Sequence, residues 1–410
     1  MTYPTPARTT TLPLAPGRIE VEPAVLDDLG DRLARTRWFD AVGSWENGID
    51  IAYVRELANE WRTSFEWGAW QDRFNTFGQV VTTVDDQRIH AFHQRSSRAD
   101  ATPLLLVHGW PGSAIEFIDC IGPLTDPDAH GAPGAPAFHV VCPSIPGYGF
   151  SGPTAGSPWG IRRISSAFDD LMHALGYPRY AGAGGDWGAT IVTDLARSER
   201  APSLTGLHLT MPTGLPPAPG ESEDLDDFER ASLAHWDDAL ATGRVNHVAV
   251  NTFRPHTTAV AMNDSPAGLL AWLVDMCRSF TVYDGDVEEA LTRDQLLANA
   301  TIYWATGTIA SAMRLYGLWA AQKAADPIPP YVTVPVSVSI FPNDIRRWPR
   351  SWAERCLNVV DWEVLPAGGH FGSWEQPAPT ARRRTSALSA TNMPRSGSLR
   401  DRRTTSVSDT

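Results

Sequence analysis

Short apolar runs alternate with longer segments of helical spacing through the middle of the 410-residue chain, the order expected of strands that feed helices. Pro103-Leu104-Leu105-Leu106-Val107 reads as a short buried strand, and so does Phe138 to Cys142. Each ends in a Gly/Pro-dense loop, His108-Gly109-Trp110-Pro111-Gly112-Ser113 after the first and residues 143–153 after the second. Leu207-His208-Leu209 is a further strand, Val334 to Phe341 is β-rich although interrupted by Pro335, and Asp361 to Leu365 looks like the last core strand. This alternation predicts an α/β protein with a mainly parallel sheet. Ahead of it, Val25, Leu26, Leu29 and Leu33 fall at helical spacing within Pro23 to Trp38, and Ile51 to Phe74 is a second, aromatic-rich helical stretch. Val80 to His90 has the pattern of a hairpin.

Met211 to Pro330 is inserted between two core strands and reads as a helical lid. It opens with a Pro-rich linker, Pro212 to Pro219, and the acidic run Glu221 to Glu229 is expected to start a helix. The predicted organisation is a flexible N-terminus (1–18), an N-terminal helical region (19–100), a core from 101–211 and 331–377, a lid (212–330) and a tail (378–410). The tail carries seven Arg against two Asp, with few apolar residues, so disorder is expected there. Its composition breaks off as abruptly as a shifted reading frame would make it. Without an apolar helix in this place, the sheet edge near His370 is expected to be poorly covered.

The densest chemical signal is Gly184-Gly185-Asp186-Trp187-Gly188. Small residues two before and two after a central side chain permit the sharp strand-to-helix turn that presents a nucleophile, with a helix N-terminus aimed at the reaction site. Taken alone, the pentapeptide is also compatible with a Gly-Asp-Gly surface turn. A carboxylate at this position selects its chemistry. A serine attacking a saturated carbon leaves an ether, whereas Asp186 leaves an ester that water can cleave, so displacement at an sp3 carbon followed by hydrolysis is expected.

The strand ends supply the partners. His370, in Gly368-Gly369-His370-Phe371, follows the last strand and is the candidate base. Asp344, just past the strand at 334–341, is the candidate orienting acid; it is preferred to Glu354 in a helical segment, Asp361 at a strand start and Glu375 too soon after the histidine. The order Asp186, Asp344, His370 is that of α/β-hydrolase triads. Candidate oxyanion donors are the backbone N–H groups of Trp110 and Trp187, whose side chains would wall the site. His108 is read as structural.

These residues together resemble the epoxide hydrolases of the microsomal type and their bacterial relatives. The resemblance rests on HGWPGS at 108–113, GYGFSGP at 147–153, GGDWG at 184–188, Asn263-Asp264-Ser265-Pro266, Ile302 to Thr308 and GGHFGSWEQP at 368–377, and runs from about Ile19 to Pro377. It implies an α/β-hydrolase fold with a helical lid and an N-terminal extension, and conversion of an epoxide to a vicinal diol. It also implies two lid tyrosines that protonate the epoxide oxygen. Tyr316 stands where the later one sits. The earlier one is missing, its place held by His247 or, with a different gap, Arg244; His247 is either a second donor or a lid surface histidine, and Tyr303 and Tyr283 are other substitutes. Trp272, Phe280, Trp304, Trp319 and Phe371 are candidate pocket residues or ordinary packing. The rival reading is a haloalkane dehalogenase, which shares the Asp nucleophile but needs N–H donors for its halide. A catalytically weakened binding protein on the same scaffold is the third.

Composition narrows the partners. A net charge of −13 disfavours nucleic acid and anionic membrane surfaces, and no hydrophobic stretch is long enough for a membrane anchor. Cys120, Cys142, Cys277 and Cys356 form no CxxC pair and are expected to be reduced thiols in the cytoplasm. No metal cluster or dinucleotide fingerprint is present in the sequence, so the expected partners are a small apolar epoxide and water, without cofactor or metal. Homodimer formation is compatible with what the resemblance implies.

Overall fold

The computed structural model describes residues 12–392 except 41–43, 155, 220, 222–223, 283–284 and 328. The buried runs of the sequence become a nine-stranded sheet in the order β1-β2-β3-β5-β4-β6-β7-β8-β9. Its strands are β1 (Ala15–Pro16), β2 (Gln79–Val84), β3 (Gln87–Gln94), β4 (Thr102–Val107), β5 (Phe138–Pro143), β6 (Tyr180–Gly184), β7 (Leu204–Leu209), β8 (Val332–Ile340) and β9 (Leu357–Val364). From β5 to β9 the neighbours are parallel, while β1, β2 and β3 add an antiparallel flank. Leu104 to Val107 in β4 have no exposed surface, as expected of a strand covered on both faces. The register pairs Val107 of β4 with Gly184 of β6, so the loops after these strands leave the sheet side by side.

Three helices precede the core, α1 (Pro23–Ala34), α2 (Ile51–Thr63) and α3 (Trp67–Phe74). Core helices α4 (Ile118–Thr125), α5 (Ile161–Ala174) and α6 (Asp186–Arg197) follow strands β4, β5 and β6. After an irregular opening, the insertion between β7 and β8 carries α7 (Asp227–Ala241), α8 (His247–Phe253), α9 (Pro255–Asp264), α10 (Pro266–Thr281), α11 (Arg293–Thr306) and α12 (Ile309–Ala325). The acidic run does start a helix: Asp226 caps α7 and exchanges hydrogen bonds with Glu229 in a capping box. The N-terminal helices clasp this lid. The Trp61 indole donates to Thr301 Oγ1 at 2.8 Å, the Trp70 indole to Asp294 at 2.9 Å, and Arg32 pairs with Asp264 at 2.8 Å.

Two expectations about the chain ends are corrected. Residues 12–18 are not a free N-terminus, because β1 pairs with β2 and Thr82 Oγ1 donates to the Pro13 carbonyl at 2.9 Å. Residues 1–11 lie outside the described residues. In the tail, after α13 (Arg350–Glu354) and α14 (Gly372–Glu375), the chain forms α15 (Pro377–Asn392) rather than a disordered segment. This helix covers the sheet beside α4 with a buried face of small residues, Thr380, Ala381 and Ala387, together with Leu388. Arg383 pairs with Asp361 and with Glu363 of β9. Tertiary contacts hold α15 over β7 and β8 where its composition alone predicts no helix, while the edge strand β9 stays half-exposed. Residues 393–410, also assigned to the disordered tail, lie outside the described residues. Among the described residues, no helix is long and apolar enough to cross a membrane.

Candidate active site

Asp186 sits on the turn between β6 and α6 with φ of 49°, a left-handed conformation that is strained for a residue with a side chain. Surrounding glycines make the turn possible. A Cβ on Gly188 would lie 1.9 Å from the Val107 carbonyl oxygen, and a Cβ on Gly109 only 2.5 Å from the Asp186 Cβ. Sharp turn and close loop together bring the Trp110 backbone N–H to Asp186 Oδ1, to which it donates at 2.9 Å. The Trp187 N–H lies in the first turn of α6, where amides have no partner within the helix.

Strand ends deliver the imidazole and its carboxylate. His370 Nδ1 is 2.9 Å from Asp344 Oδ1, and His370 Nε2 is 3.8 Å from Asp186 Oδ2. The competing acids are occupied elsewhere: Glu354 pairs with Arg350 in α13, and Asp361, inside β9 rather than at its start, pairs with Arg383. Glu375 accepts from the backbone N–H groups of Gly369 and Phe371 at 2.7 and 2.9 Å, and so holds the histidine loop from behind. The His370 N–H donates to the Phe280 carbonyl at 3.1 Å, which ties that loop to lid helix α10. Burial lowers the His370 pKa, but the charge and hydrogen bond of Asp344 and the charges of Asp186 and Glu116 overcome it and lift it to about 9.

Lid side chains close over Asp186. Tyr316 of α12 is 4% exposed and packs edge-on against Trp187, with ring centroids 4.6 Å apart. Burial and the charge of Asp186 hold its phenol well above the ordinary tyrosine range, so it stays protonated; Asn251 and Trp187 act in the opposite direction. His247 is not a surface histidine. It is buried, stacked on Trp110 with centroids 5.2 Å apart and edge-on to Tyr316, because α8 lies directly under α12. Burial, helped by His370, pushes its pKa down to about 3, and its Nδ1 has no hydrogen-bond partner among the described residues.

Other candidates are placed differently. Tyr303 donates its hydroxyl to the Gly112 carbonyl at 2.8 Å and is a loop anchor. Arg244 pairs with Asp238, and Tyr283 lies outside the described residues. Trp304, expected at the pocket, instead packs under the Arg32 guanidinium of α1, because it follows the inward-facing Tyr303 by one residue and so leaves α11 on another face. Trp272 packs near Trp110, Trp319 against Trp187, Phe280 against both His247 and His370, and Phe371 edge-on to His370. His108 is structural: its ring spans the Gly109 carbonyl and the Ile145 N–H at 2.9 and 3.0 Å. All four cysteines are buried and free.

Two residues at the site escape sequence reasoning. Glu116 stands among the apolar Ala114, Ile115 and Phe117 and is 8% exposed. Asn251, one helical turn after His247, is fully buried, and its amide lies against the Tyr316 phenol. An acid within an apolar run was the available signal for Glu116. For Asn251 there was none.

Comparison with known proteins identifies the family of the chain. Residues 14–117 match the epoxide hydrolase N-terminus family and residues 102–259 the alpha/beta hydrolase fold family. A protein of Stigmatella aurantiaca (strain DW4/3-1), provisionally named an epoxide hydrolase, is 39% identical over 89% of this chain and 82% of its own. Epoxide hydrolase 1 of Oryctolagus cuniculus is 30% identical over 90% of this chain and 87% of its own. The crystal structure of juvenile hormone epoxide hydrolase from the silkworm Bombyx mori superposes with a TM-score of 0.84 at 25% identity, covering 93% of this chain and 95% of that one. The chain therefore belongs to the epoxide hydrolase family, built on the α/β-hydrolase fold.

Proposed function

We propose that the reaction runs through an ester on Asp186. The observation that carries this reading is the bond from the Trp110 N–H to Asp186 Oδ1, which leaves Oδ2 as the attacking oxygen and gives Oδ1 its place as the carbonyl of the ester. Oδ2 attacks an epoxide carbon while the neutral phenol of Tyr316 gives its proton to the opening oxygen; the N–H of His247 is the second donor in place of a tyrosine. The aromatic walls, Trp110, Trp187 and Phe371, suit a small apolar epoxide.

Esterification removes the charge of Asp186, one of the supports that lift His370 to about 9. The imidazolium then passes its proton to the Tyr316 phenolate, and His370 becomes a base. It takes a proton from the water that attacks the Asp186 acyl carbon, and the N–H groups of Trp110 and Trp187 meet the developing oxyanion. Collapse breaks the bond to the alkyl oxygen, which receives that proton from His370. The Asp186 acid returns its own to the imidazole, the resting pair is restored and a vicinal diol leaves. Asp344 holds the ring throughout.

The test is single turnover with Asp186→Asn and His370→Gln on styrene oxide. The histidine variant accumulates an alkyl-enzyme adduct by mass spectrometry and the asparagine variant none; no adduct in either overturns the route. A cytoplasmic location and a homodimer belong to the same reading. Four buried free thiols support the first, and sedimentation tests the second.

A further inference from the structure

Under the HGWPG loop lies a cavity of about 10 Å³, room for one water, lined by Gly109, Glu116, Asp186, Thr210, His370 and Arg384 among others. Trp110, Tyr316 and His247 do not border it, so it opens to the nucleophile from the side away from the lid. The loop is shaped around the acid: a Cβ on Gly112 would lie 1.9 Å from Glu116 Oε1. Among the described residues the carboxyl has one long hydrogen bond in return, from the Gly109 N–H at 3.4 Å. Facing it, Arg384 is 1% exposed, and its Nε and Nη1 have no hydrogen-bond partner among the described residues. A buried acid and buried donors around a space of this size are what an ordered water satisfies.

We propose that this cavity holds the water that cleaves the ester, and that Glu116 is the catalytic residue that binds it. The proposal rests on the ester route of the preceding section. The Glu116 carboxyl accepts one hydrogen of the water and aims the oxygen at the Asp186 acyl carbon, and the other hydrogen goes to His370 Nε2. Because the water waits on the side opposite the lid, an epoxide filling the lid side does not displace it. Burial pushes the carboxyl up to about 8, with His370 and Arg384 pulling it down and Asp186 pushing it up, so near neutral pH it is an uncharged acid that does not compete with His370 for the water's proton. Among the described residues, Tyr303, Cys142 and Cys277 are further ionisable groups that feel its charge.

The experiment is rapid-quench single turnover with styrene oxide, scoring adduct formation and adduct decay separately in wild type, Glu116→Ala, Glu116→Gln and His370→Gln. Glu116→Ala is expected to form the adduct within about threefold of the wild-type rate and to hydrolyse it at least tenfold more slowly, so that adduct accumulates. Glu116→Gln, whose amide oxygen still accepts from the water, is expected to recover most of the lost hydrolysis. Wild-type decay in Glu116→Ala overturns the proposal. So does a parallel fall of both steps, which marks a prop for the loop, and so does failure of the glutamine to rescue. Where the alanine variant does not fold, Glu116→Asp, which draws the carboxyl back by one methylene, is read by the same split between steps. Adduct in His370→Gln together with unchanged decay in the Glu116 variants strikes this proposal alone, whereas its absence in His370→Gln strikes the ester route.

Discussion

The imidazole of His247 lies nearly parallel to the indole of Trp110, at 18° and 5.2 Å between centroids, and places a neutral ring nitrogen beside Tyr316. Stacking and hydrogen bonding are separable here. His247→Phe keeps the stack and removes the N–H, and is expected to slow adduct formation about tenfold, or ~1.4 kcal/mol, without changing adduct decay. Tyr316→Phe is expected to cost at least ~100-fold in the same step. Rapid-quench rates check both. Equal slowing of formation and decay by His247→Phe would assign the ring to packing alone.

The pH dependence follows from the sign of the His370 shift. In the free enzyme the imidazole remains protonated until the pH approaches about 9, held by Asp344 and Asp186 against the effect of burial. In the ester one of those charges is gone. The decay of the adduct is therefore expected to rise with pH along a limb whose midpoint lies below that of free-enzyme His370, and Asp344→Asn is expected to move the limb lower still. Folding shows the complementary trend: the pair's stabilisation is complete below the ordinary histidine pKa and is lost as pH climbs through about 9. NMR titration of His370 in the free protein and in a trapped adduct measures the difference.

Gly109→Ala tests how tightly the loop approaches the nucleophile. The added methyl would meet Asp186 Cβ at 2.5 Å and Oδ1 at 2.6 Å, where neither backbone can yield without breaking the Trp110 N–H bond. Adduct formation is expected to fall by ~100-fold or more, the scale of one lost oxyanion donor, while circular dichroism remains that of the wild type. A variant within threefold of wild type would show that the loop gives way.

The tail helix is tested by deletion. Truncation after Gln376 uncovers β7, β8 and α4 and is expected to abolish soluble expression. Leu388→Ala, at a fully buried position, is expected to cost about 2–5 kcal/mol by chemical denaturation. A cost near zero would mean that α15 does not pack on the sheet.

The sequence by itself determined the parts that depend on neighbours along the chain. Gly184 to Gly188 specify the turn at Asp186 because a sharp strand-to-helix bend demands small residues at fixed offsets. The apolar runs specify β4 and most of β5 because a strand covered on both faces has few polar positions. Tertiary structure decided whatever depends on burial between distant segments. It turned Trp304 away from the site, buried His247 against Trp110, set Glu116 under the loop and held α15 on the sheet. Composition cannot report these, because the desolvation that shifts a pKa and the contacts that order a weakly apolar helix come from residues far away in the chain.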